Sequence, residues 1–68
     1  MAYAVIYTKN LTRRFKTTDH LSIYEFLMQL TNDNHEISSE VASWCEIAGI
    51  DEEREYEEYG FNVVIEGF

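Results

Sequence analysis

Tyr3-Ala4-Val5-Ile6-Tyr7-Thr8 is a β-branched and aromatic run that stops at the turn-prone Lys9-Asn10, which predicts a strand. Leu11 to Thr17 alternates less cleanly, but Thr12, Phe15 and Thr17 suit a second, more exposed strand, joined to the first by a hairpin through Asn10. The exposed positions of this hairpin hold bases, a common way to blunt a sheet edge. Near the other end of the chain, Phe61-Asn62-Val63-Val64-Ile65-Glu66 alternates again, with Phe61, Val63 and Ile65 on one side. Laid beside Tyr3–Thr8, this strand would make the first one central.

Between the strands the apolar period changes from 2 to that of a helix. Ile23, Phe26, Leu27 and Leu30 follow i, i+3, i+4, i+7 and define one face of a first helix. Ser22-x-x-Glu25 reads as its capping box, with Leu21 and Phe26 as the hydrophobic staple. The polar run Thr31-Asn32-Asp33-Asn34-His35 ends it. A second helix is expected from Ser38 or Ser39, with Ile37, Val41, Trp44, Cys45 and Ala48 on one face and Gly49 as the left-handed residue at its end.

These elements predict a single compact α+β domain over residues 1–68: a small, mostly antiparallel sheet in the order β-β-α-α-β, with two amphipathic helices packed on one face. Three strands are expected. A fourth, short strand around Arg54–Glu57 stays open, because 51–60 reads equally as strand, turn or helix extension.

Composition narrows the class. With 46% apolar and 15% aromatic residues the chain is no disordered acidic tail. One cysteine makes no internal disulfide. No apolar run approaches the roughly 20 residues that span a bilayer, and the N-terminus lacks a signal-peptide core. A soluble, cytoplasmic protein in a reducing compartment is expected, with no membrane partner.

Charge changes the picture more. Thirteen acids against five bases give −8, which argues against direct nucleic-acid binding. The charge is also segregated. Lys9, Arg13, Arg14 and Lys16 stand among residues 1–18 without an acid, whereas Arg54 is the one Lys or Arg among residues 19–68. The densest stretch is Asp51, Glu52, Glu53, Glu55, Glu57 and Glu58.

Little here suits catalysis. Cys45 lies on an apolar helical stripe in the acidic part of the chain, and both settings raise a thiol pKa, so it reads as a small core residue. His20, just before Ser22, and His35, in the inter-helix loop, read as solvated turn residues. No nucleophile elbow, glycine-rich phosphate loop or HExxH pattern occurs. One cysteine with two distant histidines is a poor zinc set, and the EF-hand pattern is missing from the acidic run. The expectation is a non-enzymatic protein with no metal and no cofactor.

The acidic run reads either as a solvated loop that keeps the protein soluble or as a recognition surface. If residues 53–57 are extended, Glu53, Glu55 and Glu57 project to one side about 6–7 Å apart, comparable to successive phosphates on a nucleic-acid strand. Glu58 continues the charge, and Tyr56 and Tyr59 would supply aromatic anchors. Glu53, Glu55, Tyr56, Glu57, Glu58 and Tyr59 are therefore the candidate partner-binding residues, and an arginine- and lysine-lined groove is the fitting partner. The rival reading is self-association, in which the basic hairpin of one copy meets the acidic segment of another as a homodimer.

Trp44-Cys45-Glu46-Ile47-Ala48, the acidic tyrosine-containing segment and Phe61-Asn62-Val63-Val64-Ile65-Glu66 together resemble a pattern in short, acidic, uncharacterised proteins of phages and mobile elements in Firmicutes. The resemblance covers about 25 of the 68 residues and carries no catalytic motif. That class includes anti-CRISPR inhibitors. The resemblance implies a class of possibilities and identifies no target; the leading expectation within it is an inhibitor that acts as a nucleic-acid mimic on a basic surface of a bacterial defence protein, such as a CRISPR effector.

Overall fold

The alternating segments at the two ends of the chain meet in one sheet. The computed structural model describes residues Met1–Phe68, in the order β1 (Tyr3–Thr8), β2 (Thr12–Lys16), α1 (His20–Leu30), α2 (His35–Ile47), β3 (Glu52–Tyr56), a single 3-10 turn (Glu57–Tyr59) and β4 (Phe61–Glu66). The sheet has four antiparallel strands in the order β2-β1-β4-β3, so β1 is central, with β2 on one side and β4 on the other. Residues 52–56 are thus a strand, the fourth, paired with β4 from Glu52↔Ile65 to Tyr56↔Phe61. No helix is long and apolar enough to cross a membrane.

One face of the sheet is buried. Ala4 and Ile6 of β1 pair with Ile65 and Val63 of β4, and Phe15 of β2 lies opposite Ala4. Against this face pack Ile23, Phe26 and Leu27 of α1 and Val41, Ala42, Trp44 and Cys45 of α2, in one core. The α1 stripe matches the 3.6-residue period. On α2, the core also takes in Ser38, which is fully buried. Its hydroxyl lies 3.1 Å from Thr31 Oγ1, which itself donates to the Leu27 carbonyl at 2.8 Å. A buried hydroxyl pair of this kind keeps its polar atoms hydrogen-bonded where the two helices meet.

The helix ends differ from the expected ones. Asp19, not Ser22, caps α1: its Oδ1 accepts from the Ser22 amide at 3.4 Å, with Ser22 already in the first turn. Asp19 combines a capping oxygen with a negative charge at the positive end of the helix dipole, an advantage that serine lacks. The staple is absent too, since Leu21 is 65% exposed on the outward side of α1. At the other end, the Asn32 and Asp33 amides donate to the carbonyls of Gln29 and Met28, a Schellman closure. Both residues take left-handed φ values, 55° and 68°, which short polar side chains tolerate.

α2 begins at His35 rather than Ser38 or Ser39, because Asn34 already caps it. Asn34 Oδ1 accepts from the Ile37 amide at 3.1 Å, and Nδ2 donates to the Tyr59 hydroxyl at 2.7 Å, tying the inter-helix turn to the 3-10 turn. Gly49 supplies no left-handed residue: α2 closes at Ala48 in an extended conformation, and a short link with a bend at Ile50 leads into β3. Gly60 is the glycine whose freedom is used near the acidic segment, at φ 73° between the 3-10 turn and β4.

These caps separate the observed helix starts from the expected ones. Asp19→Ala should lower the unfolding free energy by about 1 kcal/mol in urea titration, and Ser22→Ala by less than about 0.5 kcal/mol. The opposite ranking would return the cap to Ser22. Asn34→Ala removes a cap and a tertiary hydrogen bond together and should cost about 2 kcal/mol.

Candidate interaction surface

Alternation along β3 sorts its charges. Glu52, Arg54 and Tyr56 point to the helix side, while Glu53 and Glu55 point to the opposite, open face of the sheet. Arg54 lies with its guanidinium carbon 4.3 Å from the centre of the Trp44 ring, and Glu52 Oε2 accepts from Trp44 Nε1 at 3.4 Å. The one arginine inside the acidic run is thereby spent covering Trp44 on the far side of the strand. It does not neutralise the open face.

The six residues singled out in the sequence fall into two groups. Glu53 and Glu55 stand side by side on the open face, and Glu55 and Glu57 line a shallow depression there with Tyr7, Lys9 and Asn62. Glu53 Oε2 accepts from Asn62 Nδ2 at 2.8 Å. Glu58 is exposed on the 3-10 turn. Arg14 pairs with Glu66 and the His20 ring lies against Glu46, and Glu53, Glu55, Glu57 and Glu58 have no cationic partner of their own.

Tyr56 and Tyr59 belong elsewhere. Tyr56 stacks on Phe61 with ring centroids 4.9 Å apart and 16° between planes, and Tyr59 tilts against the same ring at 6.4 Å. Both are half-buried at the margin of the core, and the Tyr59 hydroxyl is taken by Asn34. The strand and the turn therefore separate these aromatics from the Glu53–Glu55 row. The aromatic residue beside the carboxylates is Tyr7, brought in by β1 through its pairing with Asn62. Sequence spacing held no signal for it, because Tyr7 and Glu55 become neighbours only through β4.

The opposite edge of the same face is basic. Arg14 and Lys16 of β2 point to the open side, and Arg14 lies 3.9 Å over the Tyr3 ring. Arg13 turns inward, with its guanidinium 5.4 Å from the Phe15 ring centre and 5.1 Å from that of Phe26. The open face thus grades from Arg14 and Lys16 on β2, across Val5 and Val64, to Glu53 and Glu55 on β3.

The remaining polar groups are built into the frame. His35 is the first residue of α2 and not part of a loop; its Nδ1 lies 2.7 Å from the Tyr24 hydroxyl. His20 opens α1 with Nδ1 3.1 Å from Glu46 Oε2, in a direction that does not make a hydrogen bond. Cys45 is fully buried. Burial pushes its thiol up from 9.0 to about 12, against a smaller opposing pull from Arg54. No three His, Cys, Asp or Glu side chains converge to hold a metal ion.

No family model, no curated protein and no solved structure matches this chain.

The buried thiol has a measurable consequence. Iodoacetamide at about pH 8 should leave Cys45 unmodified in the native protein and alkylate it once urea unfolds the chain. Rapid native labelling would contradict the burial. Because the folded thiol keeps its proton to higher pH than the unfolded one, the stability it confers is full below pH 9.0 and is lost as pH rises toward about 12.

Proposed function

We propose that the protein is a non-enzymatic binding module that places the acidic edge of its sheet on a basic surface of another protein. The observation that carries this reading is the row of unpaired carboxylates, Glu53 and Glu55 with Glu57 beside them, on a sheet face from which Arg54 is turned away. Residues two apart on a strand lie about 6–7 Å apart, so arginines or lysines spaced to follow a phosphate backbone match them. Tyr7 stands next to the carboxylates and supplies a flat ring on which a guanidinium stacks. Charge of this density steers association and makes it fast and salt-sensitive.

A groove that normally tracks nucleic acid is the partner surface with this chemistry. The resemblance of the second half of the chain to short acidic proteins of phages and mobile elements supplies the setting: an inhibitor that occupies such a groove on a bacterial defence protein, a CRISPR effector among them. In this role Glu53, Glu55, Glu57 and Glu58 pair with the basic groove, while Tyr56 and Tyr59 hold the strand and the turn in place from behind.

The test uses a partner captured from the native host and eluted with graded salt, its affinity then measured at two ionic strengths. Glu55→Lys with Glu57→Lys should weaken binding at least about tenfold and flatten its salt dependence. Unchanged affinity and unchanged salt slope would remove the acidic edge from the interface.

A further inference from the structure

The strand register arranges the open face in rows that read differently from their two ends. Val5 pairs with both Arg14 and Val64, and Val64 pairs with Glu53, so the middle row runs Arg14–Val5–Val64–Glu53 across the four strands. Below it, Tyr7 pairs with Thr12 and Asn62, and Asn62 with Glu55, giving Thr12–Tyr7–Asn62–Glu55. In both of these rows the anion stands at the β3 end, whereas the third row, Lys16–Tyr3–Glu66, carries its anion on β4; the middle row has its cation at the β2 end with two valines between.

We infer that this face is self-complementary and that two copies of the chain pack face to face about a two-fold axis parallel to the strands, pairing Arg14 of each copy with Glu53 of the other. Such an axis, midway between β1 and β4, lays β2 of one copy over β3 of its partner and keeps every row at its own level. The middle row then sets cation over anion at both ends, while in the centre Val64 of one copy lies over Val5 of the other, which its own neighbours already hold at 4% exposure. In the lower row the Thr12 hydroxyl meets Glu55, and the Tyr7 hydroxyl meets the Asn62 amide. Aligned sheets pack about 10 Å apart with strands some 30° off parallel, which leaves room for these side chains.

The alternative two-fold axis, in the plane between the sheets but perpendicular to the strands, is excluded by charge. It would lay β2 over β2 and β3 over β3, bringing Arg14 and Lys16 against their own copies and Glu53 and Glu55 against theirs. Contacts within one chain leave the pairing groups free to exchange. Arg14 holds Glu66 at only 3.9 Å and lies over the Tyr3 ring, yet remains 60% exposed, and Glu53 is held by one neutral amide.

Size sets the strength. Four strands about 4.8 Å apart and five or six residues long present roughly 400 Å² per copy, about 800 Å² for the pair. That is below the area of a stable dimer, and the −8 on each copy adds repulsion. The dimer is therefore weak and quickly exchanging, with a Kd between micromolar and millimolar. It goes beyond the proposed partner binding: it needs no other protein, and it covers the same carboxylates, so self-association and partner binding exclude one another.

Sedimentation equilibrium at fixed ionic strength, up to about 1 mM protein, tests it. The wild type should show a concentration-dependent dimer. Arg14→Glu alone and Glu53→Lys alone, each confirmed folded by circular dichroism, should weaken self-association at least about tenfold. An equimolar mixture of the two variants satisfies both pairs at once and should recover heterodimer within about threefold of the wild-type affinity. A monomeric wild type over the whole range, or a mixture no tighter than its components, overturns the inference. Amide shifts on dilution should centre on Val5 and Val64, and shifts confined to α1 and α2 would overturn it as well. Because Arg14→Glu leaves Glu55 and Glu57 intact, loss of the dimer with partner binding retained separates this inference from the proposed function.

Discussion

The pairing of β1 with β4 joins the two ends of the chain and decides what every other element does. Ala4 opposite Ile65 and Ile6 opposite Val63 place four fully buried apolar side chains on one face. A slip of one residue would turn Tyr3, Val5 and Tyr7 toward the helices and strip the core of its floor. With that register held, α1 and α2 have one place to lay their apolar stripes, and β2 and β3 can only be edges. Strands that contact the core on one side only are free to carry charge on the other.

The electrostatic character of the molecule follows from that one-sided burial. A period of two sends Arg13 and Arg54 inward, where each lies over aromatic rings, and sends Arg14, Glu53 and Glu55 outward. The inward arginines cover Phe26 and Trp44 with their guanidinium planes while remaining close to water. The outward charges keep both sheet edges from pairing indiscriminately with other strands. The same charges, of opposite sign at opposite edges, give the open face a direction. An isolated acidic patch has affinity for anything basic; a graded face also has an orientation.

Much of the fold was legible because its signals are local. The strands Tyr3–Thr8 and Phe61–Glu66, the apolar face Ile23-Phe26-Leu27-Leu30 and the buried Cys45 each rest on spacing within a few residues. The helix starts were misread where two capping candidates lay close together. Asp19 and Ser22 both fit the composition of a cap, as do Asn34 and Ser38, and the choice rests on where the core lets the chain turn. Ser38 is the clearest instance: its hydroxyl looks like a cap in one dimension and is a buried partner of Thr31 in three. β3 stayed ambiguous because an edge strand with one half-buried aromatic and one inward arginine lacks the apolar alternation that marks a central strand.

By itself the sequence determined the fold class, the two central strands, the apolar helical faces and the segregation of charge along the chain, all of which depend on residue type and short-range period. Only the tertiary structure decided which acids stand together and which aromatics stand with them. Tyr56 and Tyr59 lie next to the carboxylates in the chain, yet they pack on Phe61 at the edge of the core. Tyr7, fifty positions from Glu57, is the exposed ring that lines the depression with Glu55 and Glu57. The reason is that side-chain direction alternates along a strand while neighbours across strands are set by register. Register depends on burying Ala4, Ile6, Val63 and Ile65 together, a condition that no local stretch of the chain contains.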